Sequence, residues 1–217
     1  MNDIIEKPII FTGDLIKAIL EGRKTQTRRV IKPQPNIKHG DIYFTNDPDG
    51  KCPFGKPGQQ MWVREVFTIE TNFNTGNYKP PHDDGRPLRL FNDTDGDEVW
   101  EQCHYKATDP EPDLVTYDKD GNEEPGCKWS PPIFLPRWAS RIQLMIKDVR
   151  VERVQDITPE DAKAEGVDCC CGIDGCDGKI DEFADLWDSI NKKHGFGWDV
   201  NPWVWVIEFE RLNDGHN

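Results

Sequence analysis

A run of alternating residues in the second half of the chain constrains the fold more than any other feature. Between residues 141 and 154, apolar side chains recur with a period of two, at Ile142, Leu144, Ile146, Val149 and Val151. This period is typical of a strand that buries one face. The alternation slips once, at Lys147-Asp148, which predicts a turn or a bulge there. The chain is therefore expected to build a sheet around this segment.

Shorter patterns predict the elements around this strand. Further strands are expected at residues 24–31, 61–67, 99–106 and 203–209. Short helices are expected at residues 12–21, 158–166 and about 180–193. Many strands, few helices and no regular alternation of strand and helix favour an α+β fold over a doubly wound sheet. The architecture that we predict is a small mixed β-barrel flanked by short helices, with a long polar insertion.

The helix predicted at residues 158–166 has well-marked ends. Thr158 is placed to cap it, Pro159 occupies the first helical position, and Gly166 is a natural stop. Glu165, one residue before that glycine, has two interpretations. A glutamate at a helix C-terminus is usually exposed and without a role, and its charge is mildly unfavourable there. That unfavourable charge is a weak reason to suspect a function.

The length of the chain predicts one domain. Its 217 residues suffice for one sizeable core with a large insertion and are few for two ordinary domains. We interpret residues 1–217 as that single domain. Residues 68–132 are polar, acidic and rich in Pro and Gly, and we take them as the insertion, with one short strand inside. Residues 168–179 are expected to form a cysteine-rich loop.

The distribution of charge limits the kind of partner. The formal net charge is -13, which argues against sequence-independent gripping of a nucleic-acid backbone. Yet residues 22–38 carry six Lys or Arg and no acid, whereas residues 80–126 carry fourteen Asp or Glu against four Lys or Arg. A local basic pocket in an acidic protein suits a small anionic or polar ligand, or a single docked nucleotide.

The N-terminal residues and the cysteines predict the compartment. The first ten residues include Asp3 and Glu6 and do not resemble a signal peptide. No apolar run approaches the length of a membrane span, so no membrane partner is expected. Seven cysteines, four of them bunched between residues 169 and 176, do not suggest a disulfide framework. We therefore expect a soluble, cytoplasmic protein with reduced thiols.

The segment from Lys24 to Arg29 is the richest in reactive groups, with an amine, two hydroxyls and two guanidiniums. An amine beside a hydroxyl generates a nucleophile when burial or neighbouring cations lower the lysine pKa. One difficulty is geometric, because Lys24 and Thr27 fall on opposite faces of a regular strand. The start of the strand is then bent, or one of the two lies outside the pocket. A solvated basic edge strand is the alternative interpretation.

Several motifs carry a family resemblance. The first is Gly22-Arg23-Lys24-Thr25-x-Thr27-x-Arg29, which follows a short predicted helix and resembles the signature of the ASCH domain, a β-barrel relative of the RNA-binding PUA domain. The chain also resembles a prophage group of ASCH-like proteins through Cys52-Pro53-Phe54-Gly55, Trp62-Val63-Arg64-Glu65, Pro136-Arg137-Trp138-Ala139-Ser140-Arg141 and Asn201-Pro202-Trp203. The resemblance covers the whole chain and implies a PUA-like fold of phage origin.

The resemblance implies catalytic residues. Small ASCH proteins include an amidohydrolase that removes the acetyl group from N(4)-acetylcytidine with a lysine, a threonine and a glutamate. Those residues match Lys24, Thr27 and Glu165 here. By this resemblance Thr27 attacks an amide carbonyl, Lys24 takes the hydroxyl proton, and Glu165 is the acid or base at the leaving nitrogen. Length, insertion and cysteine cluster distinguish this chain from the small enzyme.

Other polar and aromatic residues of these motifs are expected to bind the substrate. Arg29 is expected to stabilise an oxyanion or to hold the ligand. A tryptophan that stacks on a base, with arginines for phosphates or base edges, is typical of single-strand binders. The alternative for the tryptophan is core packing, which we also expect for Trp187, Trp203 and Trp205. The predicted binding set is Arg23, Thr25, Arg29, Arg64, Arg137, Trp138 and Arg141.

The cysteine cluster leaves a zinc site open. Cys169, Cys171 and Cys176 lack the paired Cys-x-x-Cys spacing of a zinc knuckle, so no metal or other cofactor is the first expectation. A site that joins them to a distant Cys103, His104 or Cys127 is the alternative.

Three functions follow as hypotheses. The first is hydrolysis of an amide-type bond on a modified pyrimidine nucleoside. The second is a non-catalytic reader of RNA or of a modified base, and the third is a ribonuclease acting on single-stranded RNA.

Overall fold

The structure, a computed structural model, describes residues 6–39, 41–44, 50–73, 86–112, 114–117, 123–125, 127–167 and 178–212. The α-helices are α1 (Gly13–Leu20), α2 (Pro159–Ala164) and α3 (Gly178–Asn191). The strands are β1 (Glu6–Ile10), β2 (Gln26–Val30), β3 (Asn36–Lys38), β4 (Asp41–Tyr43), β5 (Gln60–Arg64), β6 (Phe67–Phe73), β7 (Leu88–Asn92), β8 (Glu98–Tyr105), β9 (Val115–Tyr117), β10 (Glu123–Pro125), β11 (Gln143–Arg153) and β12 (Trp203–Leu212). This content confirms the predicted mixture of sheets with few helices.

The largest sheet has five strands in the order β1, β5, β11, β12, β2. Its two edge strands are not paired with each other in the described residues, so these strands form an open sheet there and no closed barrel. The chain divides into two compact units. The first unit comprises Met1–Lys7, Ala18–Met61 and Leu144–Asn217, and the second comprises Pro8–Lys17 and Trp62–Gln143. The single domain expected for residues 1–217 stays a prediction.

The alternating run forms β11, an uninterrupted strand of eleven residues. The turn expected as one alternative at Lys147-Asp148 is wrong, because both residues lie within the strand, while the bulge stays a prediction. Leu144 and Ile146 are buried, whereas Lys147 and Asp148 are both exposed. The alternation of buried and exposed side chains therefore slips at these two residues.

A hydrophobic cluster in the first unit packs α2 and α3 against β12. Its buried members include Ala162 of α2, Phe183 and Trp187 of α3, and Val204 and Val206 of β12. Trp187 also satisfies its indole N–H, which donates to the Phe196 carbonyl at 2.8 Å. The core role expected of Trp187 and Trp205 is confirmed by their burial. The clustered face of β12 therefore fixes where α2 lies, and α2 carries Glu165.

The second unit contains a three-stranded antiparallel sheet in the order β6, β8, β7. Sequence patterns predicted one short strand inside residues 68–132, and β8 confirms it. The flanking strands β6 and β7 were missed. Their sequences mix Thr, Glu, Asn and Arg with apolar residues, and leucines of β7 remain exposed. Pairing with β8, which is distant in sequence from β6, holds these strands in place.

A short hairpin was also missed. No strand was predicted between the strands expected at residues 24–31 and 61–67, but β3 and β4 pair there in antiparallel fashion. Both strands have three residues and mostly exposed side chains, so neither carries a periodic signal. Among the helices in the described ranges, none is long and apolar enough to cross a membrane.

Candidate functional site

The predicted lysine lies at the entrance to β2, in the first unit. Its backbone N–H donates to the Ala18 carbonyl at 3.0 Å, and the next N–H, that of Thr25, donates to the Ala164 carbonyl at 2.8 Å. These bonds tie the end of α1 and the end of α2 to the start of β2. The Lys24 side chain is 1% exposed.

The amine of Lys24 has three acceptors. Its Nζ donates to the Gln26 carbonyl, to the Glu165 carbonyl and to Glu165 Oε2, each at 2.8 Å. An ammonium has three N–H donors and no acceptor, so this set matches the charged form of lysine. The amine therefore has to release a proton before it can act as a base.

Glu165 reaches this lysine from the C-terminus of α2. Its N–H donates to the Asp161 carbonyl at 2.8 Å, and Gly166 then turns the chain with a φ of 85°. A Cβ at Gly166 would lie 2.9 Å from the Ala18 Cβ and 3.1 Å from the Lys24 Cβ. Only glycine permits this close approach. Glu165 is consequently 4% exposed, which makes the exposed interpretation of its position wrong.

Burial shifts the pKa of Lys24. Loss of water lowers the pKa of Lys24 below its ordinary value. The charge and the hydrogen bond of Glu165 oppose that shift, while Arg29 and Arg28 add to it. Desolvation and the two arginines thus lower the pKa of Lys24, and Glu165 raises it.

Arg28 is a part of the site that sequence reasoning did not include. Its guanidinium is fully buried and donates to Glu165 Oε1 at 3.3 Å and to Asp161 Oδ2 at 3.0 Å. It also contacts Glu152 at 3.3 Å. A parity signal could have found it, because Lys24 and Arg28 are four residues apart and share one face of an extended segment. Arg28 holds the second oxygen of Glu165.

Arg150 of β11 extends the ion network. It contacts carboxylates of Asp161, Glu152 and Glu208. Burial on its own would raise the pKa of Asp161, but Arg28 and hydrogen bonds from Gln26 and Thr158 hold it below its ordinary value. The result is a connected set of cations and carboxylates around the end of α2. Such a network also has a purely structural use, as a satisfied polar core.

Thr27 lies on the opposite face of β2 from this network. Antiparallel pairing with β12 sets Thr27 opposite Ile207, Arg28 opposite Val206 and Arg29 opposite Trp205. Side chains alternate along a strand, so Thr27 shares its face with Arg29. Thr27 is buried, and in the described part of the chain its hydroxyl makes no hydrogen bond with Lys24 or Glu165. The parity difficulty expected from the sequence is thus present in the structure.

Arg29 lies on the same face of β2 as Thr27, but its charge also interacts with that of Glu165. Burial lowers its pKa to about 10, and the charge of Glu165 opposes that shift. Its guanidinium carbon lies 6.0 Å from the centre of the Phe54 ring. Two other predicted binding residues of the motif lie at the surface. Arg23 donates to Glu21 at 2.8 Å, and the backbone of Thr25 bonds to Ala164 and Phe209.

The remaining predicted binding residues belong to the second unit. Arg64 and Arg137 lie over the Trp62 ring, with guanidinium carbons 4.5 and 5.8 Å from its centre. Trp138 has Arg89 at 6.0 Å from its ring. These are cation–π contacts of the kind found at nucleic-acid surfaces and inside stable proteins alike.

Arg141 is held by a buried carboxylate. It donates two hydrogen bonds of 2.9 Å to the two oxygens of Glu65, which is 2% exposed, and it lies 4.1 Å from the Tyr105 ring centre. This bidentate geometry indicates a fixed side chain. Arg141 is therefore anchored within the second unit.

The suggested zinc ligands Cys169, Cys171 and Cys176 lie outside the described residues. Within the described ranges, no group of three or more His, Cys, Asp and Glu residues is arranged to hold a metal ion. Cys103 is a buried free thiol whose pKa burial raises to about 12. His104 contacts Glu70 at 3.0 Å, and Cys127 is also a free thiol.

Comparisons with known proteins leave the family open. No protein-family model matches the chain, and no curated protein matches it. Among solved structures, protein EF3133 from Enterococcus faecalis V583, described by the family model DUF984, is similar at 11% sequence identity and a TM-score of 0.41. That alignment covers 99% of this chain and 87% of the other. A similarity this low carries no argument, and membership of the ASCH family stays a prediction.

Proposed function

We propose that the protein hydrolyses an amide-type bond on a modified pyrimidine nucleoside, with Lys24 and Glu165 as its proton-transfer pair. The observation that carries this proposal is the buried 2.8 Å contact between the Lys24 amine and Glu165 Oε2, with the lysine pKa lowered by burial. Perturbed pKa values of this kind concentrate at functional sites. The resemblance of residues 22–29 to the motif of the ASCH amidohydrolases supports the same assignment.

The proposed reaction begins with a proton transfer from Lys24 to Glu165. The neutral amine then takes the proton of the Thr27 hydroxyl as the oxygen attacks the amide carbonyl carbon. Protonated Glu165 donates to the leaving nitrogen, the carbon–nitrogen bond breaks, and an ester on Thr27 remains. Lys24 is then an ammonium and Glu165 a carboxylate, as at the start.

A water molecule completes the turnover. Glu165 takes a proton from the water, the hydroxide adds to the ester carbon, and the Thr27 oxygen leaves with the proton returned by Glu165. The released acid ionises in solution. Arg29 is the group proposed to stabilise the oxyanion in both halves. Because Thr27 lies on the face of β2 opposite the network, the proton transfer from Thr27 to Lys24 requires the start of β2 to rearrange when the substrate binds.

Acetate release from N(4)-acetylcytidine, and acyl release from a panel of other acylated nucleosides, tests this proposal. Wild type is expected to turn over at least one of them. Lys24→Met and Glu165→Gln are expected to lower kcat/KM by about a hundredfold or more, the range of a lost acid–base residue. Lys193→Ala, an exposed lysine of the same unit, is the matched control. No turnover by wild type across the panel would reject the proposal.

Thr27→Val and Thr27→Ser separate the nucleophile from the pair. Thr27→Val is expected to prevent formation of the ester on residue 27. Thr27→Ser retains a hydroxyl and is expected to keep part of the activity. Mass spectrometry of the quenched protein detects the acyl group on the peptide that contains residue 27. Unchanged turnover by Thr27→Val would exclude threonine as the nucleophile.

A reader of a modified base is the second candidate. It is favoured by the three acceptors around the Lys24 amine, which suit a structural ammonium, and by the arginine–tryptophan contacts of the second unit. Under this hypothesis the variant Glu165→Gln still binds RNA or nucleoside. Replacement of Arg29 or Arg137 weakens that binding, by an amount that depends on the salt concentration. Incubation with labelled single-stranded RNA separates the ribonuclease hypothesis, because cleavage products would appear.

A further inference from the structure

One guanidinium lies between two carboxylates at the end of α2. Asp161 and Glu165 are four residues apart, so their side chains are neighbours on the helix, and Arg28 reaches both of them from β2. Its distances are 3.0 Å to Asp161 Oδ2 and 3.3 Å to Glu165 Oε1. Like charges at this spacing repel each other, and the cation between them offsets that repulsion. Arg28 therefore links Asp161 to the carboxylate that holds Lys24.

The Glu165 carboxylate in turn has a cation on each oxygen. Lys24 Nζ donates to Oε2 at 2.8 Å, while Arg28 Nη1 donates to Oε1 at 3.3 Å. The two cations repel each other across this one carboxylate. Desolvation is the largest cause of the lowered pKa of Lys24, and the charge of Arg28 adds to it. The charge of Arg28 thus favours the neutral form of the amine.

Carboxylates nearer the solvent offset the charge of Arg28. The side chains of Asp161 and Glu152 both contact Arg28 and are 19% and 24% exposed. The Arg28 side chain is fully buried, and that of Glu165 is 5% exposed. Water screens the charge of Asp161 only in part, so this charge acts on Arg28 and, beyond it, on the buried amine. The charges alternate in sign from the amine outward.

We propose that Arg28 and Asp161 are positioning residues of the proposed reaction, and that their opposite charges set how readily the Lys24 amine gives up its proton. Arg28 favours the neutral amine that the reaction uses as a base, and Asp161 limits this effect so that the resting ammonium persists. In the first step an N–H bond of Lys24 breaks and the proton passes to Glu165 Oε2. The inference rests on the proposed hydrolysis for its function, but the effect of the two charges is testable without a substrate.

Titration of the full chain by NMR, with isotope-labelled lysine, measures the pKa of Lys24, and the signal lost in Lys24→Met identifies this residue. Arg28→Met removes a positive charge and is expected to raise the titration midpoint of Lys24 by about half a pH unit or more. Asp161→Asn removes a negative charge and is expected to lower that midpoint by a similar amount. Asparagine keeps an oxygen that accepts the Thr158 N–H, so the cap of α2 is retained.

The directions of the two shifts separate charge from packing. A variant that only loosens the core admits water to Lys24, which relieves its desolvation and raises its pKa. A purely structural role therefore predicts a higher midpoint in both variants, and that result, or no shift in either, would overturn the proposal. If Arg28→Met does not fold, Asp161→Asn alone decides, because loosening cannot lower the midpoint.

Two further variants of α2 are the controls. Asp161→Glu keeps the charge and is expected to restore the midpoint of wild type. Glu160→Gln removes an exposed charge from the same helix and is expected to leave the midpoint unchanged. A midpoint lowered as much by Glu160→Gln as by Asp161→Asn would contradict a specific effect through Arg28.

Acyl release provides the functional half of the test. The limb of the pH profile of kcat that depends on Lys24 is expected to move with the midpoint, to higher pH in Arg28→Met and to lower pH in Asp161→Asn. Shifted midpoints with an unmoved profile would show that the two residues are not positioning residues of the reaction. If wild type releases no acyl group while the midpoints shift in opposite directions, the hydrolysis fails and the effect of the two charges on Lys24 stands.

Discussion

At the scale of single residues, the contact between Lys24 and Glu165 dominates the chemistry of the protein. Each side chain is almost inaccessible, and the two charges compensate each other, with Arg28 as a second cation on Glu165. A buried pair is costly to assemble and more costly to break, since removing one partner leaves a charge without compensation. Burying the two charges is therefore unfavourable for the free energy of folding, which indicates that the pair has a structural or a functional role.

Glu165→Gln is expected to lower the free energy of unfolding by about 3 kcal/mol, because the Lys24 ammonium loses the charge of the carboxylate that it contacts at 2.8 Å. Glu160→Gln, an exposed residue of the same helix, is the matched control and is expected to cost less than about 0.5 kcal/mol. Urea denaturation measures both. Equal effects of the two variants would mean that the buried pair contributes nothing to stability.

The lowered pKa of Asp161 allows a prediction of how the stability of the protein changes with acid. Its pKa is lower in the folded protein than the ordinary 3.8, so the unfolded chain binds its proton first as pH falls. The stabilisation is fully present above pH 3.8 and is lost as pH falls through the depressed value. Asp161→Asn is expected to flatten this part of the stability curve, measured by urea midpoints from pH 5 to pH 2. Asp148→Asn, which changes an exposed carboxylate, should leave the slope as in wild type.

At the scale of elements, strand parity decides which residues of the motif act together. Lys24 and Arg28 face α2, whereas Thr27 and Arg29 lie on the face of Trp205. The sequence alone predicted α2 with its cap and its proline, and it predicted the strand β11. It also predicted that Lys24 and Thr27 fall on opposite faces of their strand. It could not predict that Glu165 is buried, because that depends on the packing of Gly166 against Ala18.

The strands that were missed have the same physical origin. β6 and β7 are stabilised by β8, which is distant in sequence from β6, and β3 and β4 are too short to show a period. Local patterns report burial of one face, so they give no signal in β3, β4 and β7, whose side chains are mostly exposed. Arg28 was missed for a related reason, since a charged residue in a strand is ordinarily assigned to the solvent face.

Gly166→Ala tests how the α2 turn positions the site. The new methyl group meets the Ala18 Cβ at 2.9 Å in a backbone with a φ of 85°, and the expected cost is about 2 to 4 kcal/mol. Gly195→Ala has a similar φ of 81° with nothing within 4 Å, so it isolates the backbone strain at about 1 kcal/mol. Thermal unfolding of the two variants gives the difference. Equal losses would show that Gly166 tolerates a methyl group.

At the scale of the whole molecule, charge is segregated along the chain. The net charge is -13, although residues 22–38 carry six Lys or Arg and no acid. Carboxylates of other elements balance part of this basic segment, since Arg28 contacts Glu152, Asp161 and Glu165. A long nucleic acid therefore meets a repulsive total charge.

Weak binding to duplex DNA is the corresponding expectation. At about 0.15 M salt, a labelled duplex is expected to show no saturable binding below about 100 μM, because few phosphates can be neutralised. Fluorescence anisotropy measures this. Micromolar duplex binding would require a continuous basic surface.

The three acceptors around the Lys24 amine also determine how this residue responds to amine-reactive chemistry. An acylating reagent needs a neutral amine in contact with solvent, and Lys24 offers neither while Glu165 is in place. Exposed lysines such as Lys193 are expected to be labelled within minutes, whereas labelling at Lys24 waits for the end of α2 to detach. The rate of that slow modification, read by peptide mass spectrometry, would measure how often the buried cluster opens.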